Sequence, residues 1–518
     1  MVNIKNVLNN VKKWIESIEQ SKTPFIFFVL TFLFAVTMRN YFETFSDTPV
    51  ANLQYYTIAN IIEYYIWYSG LAVLITLLFH LATKERIKHI FHLTLPTFLA
   101  LNIAPLVDIV FSRGKGFDYA YMLPGVHENL IFRWLTYTGE YTGMGATPGM
   151  RTGGVVLLFV AFSYLYLKTN KILVSFVYTY AMYSIIFWWG AIPFANRALL
   201  QAFDIIYRPT ALFTIQFILV FLSPTIFILL YLDQKNKFKQ FLKSSSIVIP
   251  IHYLLILILG SVIALNLFPT GFILNQENFF QWILASIAVL FTVLFIHAVK
   301  LFTYHLTKNE TKSNMVPEKT IPLKSLKIYA IIFFAAAIMY ATAVDHITVF
   351  SIIAVMACSF IYHAPPFRLH KIPFISKIFI SLSTIIILFL GYYYITSFYQ
   401  FFPVVLLLFF LLPFTAALNI IDVEKEKTSV EQKTWSWVSF LGENKAKIVI
   451  SFFIILAYLL FGFILQTMIM TALFVCFGVV MSVLAFYQKK HSDYLIYGLY
   501  ILSLIISIYF ISITTVTF

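Results

Sequence analysis

Two polar islands interrupt an otherwise apolar sequence, and they hold residue types from which chemistry can be built. The first, YHAPPFRLHK, runs from Tyr362 to Lys371, and the second, NIIDVEKEKTSVEQKTWSWVSFLG, runs from Asn419 to Gly442. In the second, Asp422, Glu424 and Glu426 alternate with other residues, and Asp422 and Glu426, at i and i+4, share one face of a helix. Carboxylate oxygens are the hard ligands that a divalent cation takes. In the first, Arg368 and Lys371 are cations of the kind that contact phosphate oxygens, arginine as a planar fork and lysine as a point charge. The plainer alternative is that both islands are solvated connectors between helices.

The elements that must position these residues are membrane helices. A chain of 518 residues with 60% hydrophobic and 11% charged residues and a mean hydropathy of +0.86 lies far from the roughly 25% charge of a water-soluble globule. Apolar stretches near the ~20 residues needed to cross a hydrocarbon core recur along its length. The reading is an all-α polytopic membrane protein with about 15 transmembrane helices, six between 24 and 231 and nine between 246 and 514. The lysine-bearing opening (Lys5, Lys12, Lys13, Lys22) has no small-residue cleavage site and is expected to lie along the cytosolic surface.

A net charge of +14 raises the question of an anionic partner such as nucleic acid, and the placement of the basic residues answers it. With the N-terminus inside, alternate loops and one helix end (Lys300) hold 29 of the 36 Lys and Arg. The other seven, Arg39, Arg113, Lys115, Arg133, Arg151, Arg197 and Arg208, fall outside. This segregation orients the chain with its N-terminus cytosolic and its C-terminus outside, and makes the basicity a matter of topology and anionic lipid rather than nucleic acid. Cys358 and Cys476 both fall inside predicted helices, where buried, inert thiols are expected. A charged, serine-rich connector at 233–245 separates a six-helix module, 1–232, from a nine-helix module, 246–518.

The two islands resemble two cytosolic loops of the UbiA family of intramembrane prenyltransferases, and the resemblance covers about 245–518. In that family a tyrosine, a double proline and basic residues precede a helix, and a later acidic loop leads to a threonine and an LG pair; here these positions are Tyr362, Arg368, Lys371, then Thr434, Leu441 and Gly442. The resemblance implies a nine-helix bundle that transfers a prenyl group from a polyprenyl diphosphate. It further implies Mg2+ held by Asp422 and Glu426, with Glu424 beside them, and a substrate contacted by Lys300, Tyr362, Arg368, Lys371 and Asn419. Glu426 stands where the family usually has aspartate.

One part of the family pattern is altered. Members carry an asparagine and several aspartates at the cytosolic end of their second helix, whereas His297 to Glu310 reads HAVKLFTYHLTKNE and contains no aspartate. Lys300, His297 and His305 stand there instead, the histidines read as packing residues. Three readings are open: one magnesium on the second loop alone, a changed substrate, or a cavity that binds or translocates lipid without catalysis. The six upstream helices match no family pattern, but they place Arg39, Asn40 and Glu43 after the first helix, Glu63 inside the second and Asp108 at the end of the third. His127, Glu128, Arg133, Glu140, Arg197, Asp204 and Arg208 continue this outer-side polarity. Such groups either pair to orient the bundle or bind a headgroup. HENLIFR lacks the HExxH zinc spacing, and no phosphate-binding or dinucleotide glycine loop is present.

Overall fold

A computed structural model of the chain describes residues 4–46, 58–115, 117, 130–135, 147–192, 199–203, 205, 211–268, 276–307, 321–364, 369, 373–397, 402, 441–464, 467–486 and 492–513. All its elements are helices. The protein is an all-α, multi-pass membrane protein. Eleven of the described helical segments are long and apolar enough to cross a membrane, and two shorter apolar segments, Ser381–Thr396 and Met468–Leu484, accompany them. The expected span at 401–421 lies outside the described residues apart from Phe402. The chain divides into two compact units, Met1–Asn236 and Lys237–Phe518.

The N-terminal unit opens with α1 (Ile4–Glu19), in which apolar residues recur every three or four positions. Ile15 is buried while Trp14 is 63% exposed. Then come α2 (Phe25–Ser46) and α3 (Ile58–Thr83). The third span is α4 (Ile87–Thr97), a 3₁₀ stretch (Phe98–Asn102) and α5 (Ile103–Phe111) in one line. Pro96 has no N–H to give the preceding turn, and the backbone tightens just after it. The Asn102 amide helps satisfy this tightened segment, donating to the Leu99 carbonyl at 3.1 Å and more weakly across to that of Ala35. The short α6 (Leu130–Leu135) precedes α7 (Pro148–Thr169), α8 (Ile172–Gly190) and α9 (Ala211–Asp233).

The C-terminal unit takes in most of α10 (Lys235–Ser244), then α11 (Val248–Leu267), α12 (Gln276–Thr307), α13 (Leu323–Thr342), α14 (His346–His363) and α15 (Pro373–Thr396). It closes with α16 (Glu443–Ile464), α17 (Met468–Phe486) and α18 (Ser492–Ile513). The stretch expected as a connector is thus largely the helix α10. Where α11 crosses α15, a Cβ on Gly260 would stand 2.0 Å from the Leu388 carbonyl oxygen, and one on Gly391 equally close to that of Leu257. Only glycine at both positions lets these backbones meet.

Side-chain partners fix which helix ends share a face. His252 meets Thr384 and Ser261 meets Gly391, so α11 and α15 run parallel. Asn266 reaches the Ile511 carbonyl while His252 meets Tyr500, so α18 is parallel to them too. Phe291 packs on Tyr340 and Phe295 on Phe334, making α12 and α13 antiparallel. Thr348 near the start of α14 meets Tyr394 near the end of α15. Trp282 near the start of α12 packs 6.3 Å from Tyr394 near the end of α15, so the C-terminal ends of α12 and α14 lie on one face with the N-terminal ends of α11, α13, α15 and α18.

Two expectations need correction. Arg39, Asn40 and Glu43 do not follow the first span but belong to α2, because their neighbours Ala35 and Val36 continue its buried face. Cys476 is not buried; it sits on the outward side of α17, and Cys358 is half-buried.

Candidate functional site

The face that gathers these ends begins with the last three turns of α12. His297 is buried there: its Nε2 lies 3.0 Å from Ser244 Oγ and its ring packs 4.9 Å from Phe241. It is a packing histidine, as read. One turn on, Lys300 is exposed, and His305 is half-buried near the helix end.

Tyr362 and His363, both half-buried, end α14 with their rings edge to face at 4.6 Å. The helix stops because Ala364, the residue before Pro365, is driven to extended backbone (φ −92°, ψ 148°). Pro373 then starts α15, its missing N–H costing nothing in a first turn. Arg368 and Lys371 fall in the intervening loop, outside the described residues.

Asn419, Asp422, Glu424, Glu426 and Thr434 are likewise outside the described residues. Description resumes at Leu441 and Gly442, and Gly442 has φ +79°, a left-handed conformation that glycine adopts without strain, immediately before α16. Its carbonyl accepts the Ala446 N–H at 3.0 Å. The glycine of the LG pair thus has a backbone task at the start of this helix.

Described side chains on this face include Lys300, exposed Lys324 and Lys327 at the start of α13, Tyr362 and His363. Among the described residues no three His, Cys, Asp or Glu come together to hold a metal ion. The first, altered window fits magnesium poorly, since His297 is spoken for by Ser244 and Lys300 brings a like charge. The carboxylate donors that the sequence offers for such an ion, Asp422, Glu424 and Glu426, lie outside the described residues.

Sequence reasoning missed the polar interior of each unit. In the C-terminal unit, His252 sits between Tyr500 (3.0 Å) and Thr384 (3.3 Å), Tyr253 meets Ser383 at 2.7 Å, and Tyr458 meets Ser503 at 3.2 Å. The only signal was an isolated His-Tyr pair in the apolar run VIPIHYLLILIL. In the N-terminal unit, Lys168 Nζ lies 2.5 Å from Glu19 and 3.1 Å from Glu85, Tyr164 donates to Glu19 at 2.9 Å, and His92 Nδ1 lies 3.0 Å from the Glu19 carbonyl.

Part of the outer-side polarity of the N-terminal unit resolves into partnered groups, although Asn40 Oδ1 is buried with no hydrogen-bond partner among the described residues. Arg39 and Glu43, 3% and 2% exposed, form an ion pair at 3.1 Å within α2. Asp108, fully buried, accepts from the Thr147 hydroxyl and from the Gly149 N–H at 2.7 Å, pinning the start of α7. Gly149 has no alternative, since a Cβ there would stand 1.9 Å from the Ala104 carbonyl oxygen. His127, Glu128, Glu140, Arg197, Asp204 and Arg208 lie outside the described residues, as does the side chain of Arg133.

Comparison with known proteins adds a family. No curated protein matches the chain. Solved structures of a UbiA homolog from Archaeoglobus fulgidus are similar to it at low identity: one bound to DMAPP and Mg2+ (13% identity, TM-score 0.37, over 51% of this chain and 97% of that one), one bound to GPP and Mg2+ (14%, 0.38, 51% and 98%) and one bound to Cd2+ (14%, 0.39, 51% and 96%). The model of the UbiA prenyltransferase family matches residues 306–495, a stretch that takes in both polar islands and begins just after His305. Over residues 306–495, then, this chain matches the UbiA prenyltransferase family.

Proposed function

We propose that the chain is an intramembrane prenyltransferase that moves a prenyl group from a polyprenyl diphosphate to an acceptor, with the chemistry in the module 246–518 and a separate six-helix module in 1–232. The observation that carries this reading is the family match, because it spans Tyr362, Arg368, Lys371, Asn419, Asp422, Glu424 and Glu426 together. In this reading Asp422 and Glu426 would hold Mg2+, with Glu424 adjacent. Magnesium bound there supplies counter-charge for a departing diphosphate. Arg368 and Lys371 hold phosphate oxygens through charge-assisted hydrogen bonds, and Tyr362 and Asn419 contact the substrate. Lys300 adds a cation from the α12 end.

A second reading, a lipid-binding or lipid-translocating protein without catalysis, is favoured by one observation: the His297–Glu310 window holds no aspartate and uses His297 for packing on α10.

Purified protein given labelled prenyl diphosphates and a lipid extract as acceptor source, with and without magnesium, separates the two. Transfer of label that requires magnesium supports the first reading, and binding without turnover supports the second. Asp422→Asn is expected to weaken magnesium-dependent binding by about 2 kcal/mol or more; an unchanged magnesium dependence in the folded variant would move the site elsewhere. Lys300→Ala is expected to weaken diphosphate binding, with only partial rescue by added magnesium. An affinity within about twofold of wild type, roughly 0.4 kcal/mol, would leave Lys300 as a lysine that snorkels to headgroups.

Charge segregation further supports a cytosolic N-terminus and an external C-terminus. A cysteine placed at Ser429 should then react only with reagent on the cytosolic side, and one at Asn129 only with reagent outside.

A further inference from the structure

The helix α10 has a face that the transferase reading does not use. Its sequence, KNKFKQFLKS, carries four lysines and no acid in ten residues. Phe238 and Phe241 are buried: Phe241 packs 5.1 Å from Tyr329 and 5.7 Å from Phe333, and Phe238 packs 5.7 Å from Tyr329. Ser244 adds its contact to His297. These anchors fix how α10 is turned and at what level it lies. Tyr329 stands six residues inside the start of the span Leu323–Thr342, and His297 six residues before the end of the span Phe279–Thr303. Six residues of helix are about 9 Å, the depth to which an interfacial helix sinks its apolar face.

On a helical wheel the other residues follow in order. Beyond Phe241 and Phe238 comes Leu242, 40% exposed, and then Lys235, Lys239 and Lys243, which succeed one another every four positions and are all exposed. Ile247, just past the helix, is 74% exposed. An apolar edge bordering a lysine row, beside the ends of membrane spans, is the pattern of a helix lying where acyl chains meet headgroups.

We propose that α10 is a membrane-surface helix whose Lys235–Lys239–Lys243 row binds the phosphate groups of anionic phospholipids in the leaflet at the Lys300 end of the bundle. The inference does not depend on prenyl transfer. The row extends about 12 Å along the helix, too long for the two linked phosphates of one diphosphate to engage together and suited to several separate headgroups. Attraction to an anionic leaflet grows with each lysine near the surface.

The test uses the full chain in vesicles, with Gln240→Cys carrying a fluorophore and Cys358→Ser and Cys476→Ser removing the other thiols. Quenching by headgroup-proximal spin-labelled phosphatidylglycerol is compared with quenching by the matching phosphatidylcholine. Wild type should prefer phosphatidylglycerol, and each lysine changed to glutamine should lower the preference by up to about fivefold. The triple variant Lys235→Gln/Lys239→Gln/Lys243→Gln should show almost none, and raised salt should weaken the preference in the unaltered helix. Equal quenching by the two lipids at low salt, or a preference that survives in the triple variant, would overturn the proposal. Loss of the preference on adding free pyrophosphate, where sulfate at the same ionic strength leaves it in place, would also overturn it, assigning the row to a soluble diphosphate.

Discussion

The N-terminal unit holds its helices together with buried charge, whereas the described interior of the C-terminal unit uses hydroxyls and imidazoles. Glu19, Lys168 and Glu85 join α1, α7 and the turn after α3 in the first. His252, Tyr500, Thr384, Tyr253, Ser383, Tyr458 and Ser503 join α11, α15, α16 and α18 in the second. The two solutions differ in what they leave over. A buried ion pair uses up its charges in holding position, and losing one partner strands the other. A hydroxyl network holds helices with weaker bonds and leaves the lysines of that unit at the helix ends, where a phosphate can meet them.

The largest expected effect probes the charged unit. Lys168→Met leaves Glu19, 1% exposed, without its cation, and should cost about 3–5 kcal/mol against unfolding in detergent. Adding Glu19→Gln should recover much of that loss, because removing both charges spares the penalty of an unpaired one. A single-variant cost below about 1 kcal/mol would show that the cluster is wetter than its burial implies and would erase the contrast between the units.

Tyr500→Phe in the hydroxyl network should cost far less, about 0.6 kcal/mol, the average for a hydrogen bond between membrane helices. The same unfolding assay applies. A loss comparable to that of Lys168→Met would mean that His252 depends on Tyr500 as strongly as Glu19 depends on Lys168.

The smallest effect is a pH response confined to the charged unit. Burial pushes the Glu85 carboxyl up, but its hydrogen bond to Lys168 and the positive charges of Lys168 and His89 outweigh this and hold it below its ordinary 4.5. A carboxylate lowered on folding contributes stability that is present above 4.5 and lost as the pH falls through the lower folded value. A fluorophore on Ser17→Cys should therefore keep its anisotropy down to about pH 5 and lose some of it below 4.5. Glu85→Gln should abolish that acid step; a step that persists would assign it to another group.

Much of the fold was legible because a bilayer demands long apolar helices, and these stand out as runs. What was not legible were pairings across distance. Glu19 and Lys168 are 149 residues apart, and in the sequence Lys168 counted only as one of the inner-side basic residues while nothing singled out Glu19. Arg39 and Glu43 read as the end of a helix because charge marks a boundary when its partner is unseen, yet the two neutralise each other and let α2 continue. The short charged stretch at 235–244 hid a docked helix because only two of its ten residues, Phe238 and Phe241, carry the packing. At the site, two local features fell where the sequence marked the loops: the helix break just after Tyr362 and the left-handed Gly442 before α16. The role of His297 was settled by Phe241 and Ser244, which no spacing rule connects to it.

The pinned ends of α7 have a consequence for the surrounding bilayer. At one end Thr147 and Gly149 are fastened to Asp108 on α5, and at the other Lys168 is fastened to Glu85, at the opposite end of the same span that Asp108 closes. The two helices are thus riveted top and bottom into a frame whose uprights cannot slide past each other. From Thr147 to Lys168 the frame stands about 32 Å tall, close to the ~30 Å of a hydrocarbon core. A bundle free to shear can tilt its helices to suit a thin or thick membrane. This frame can answer such a change only by tilting as one piece or by leaving the adjustment to the lipids around it.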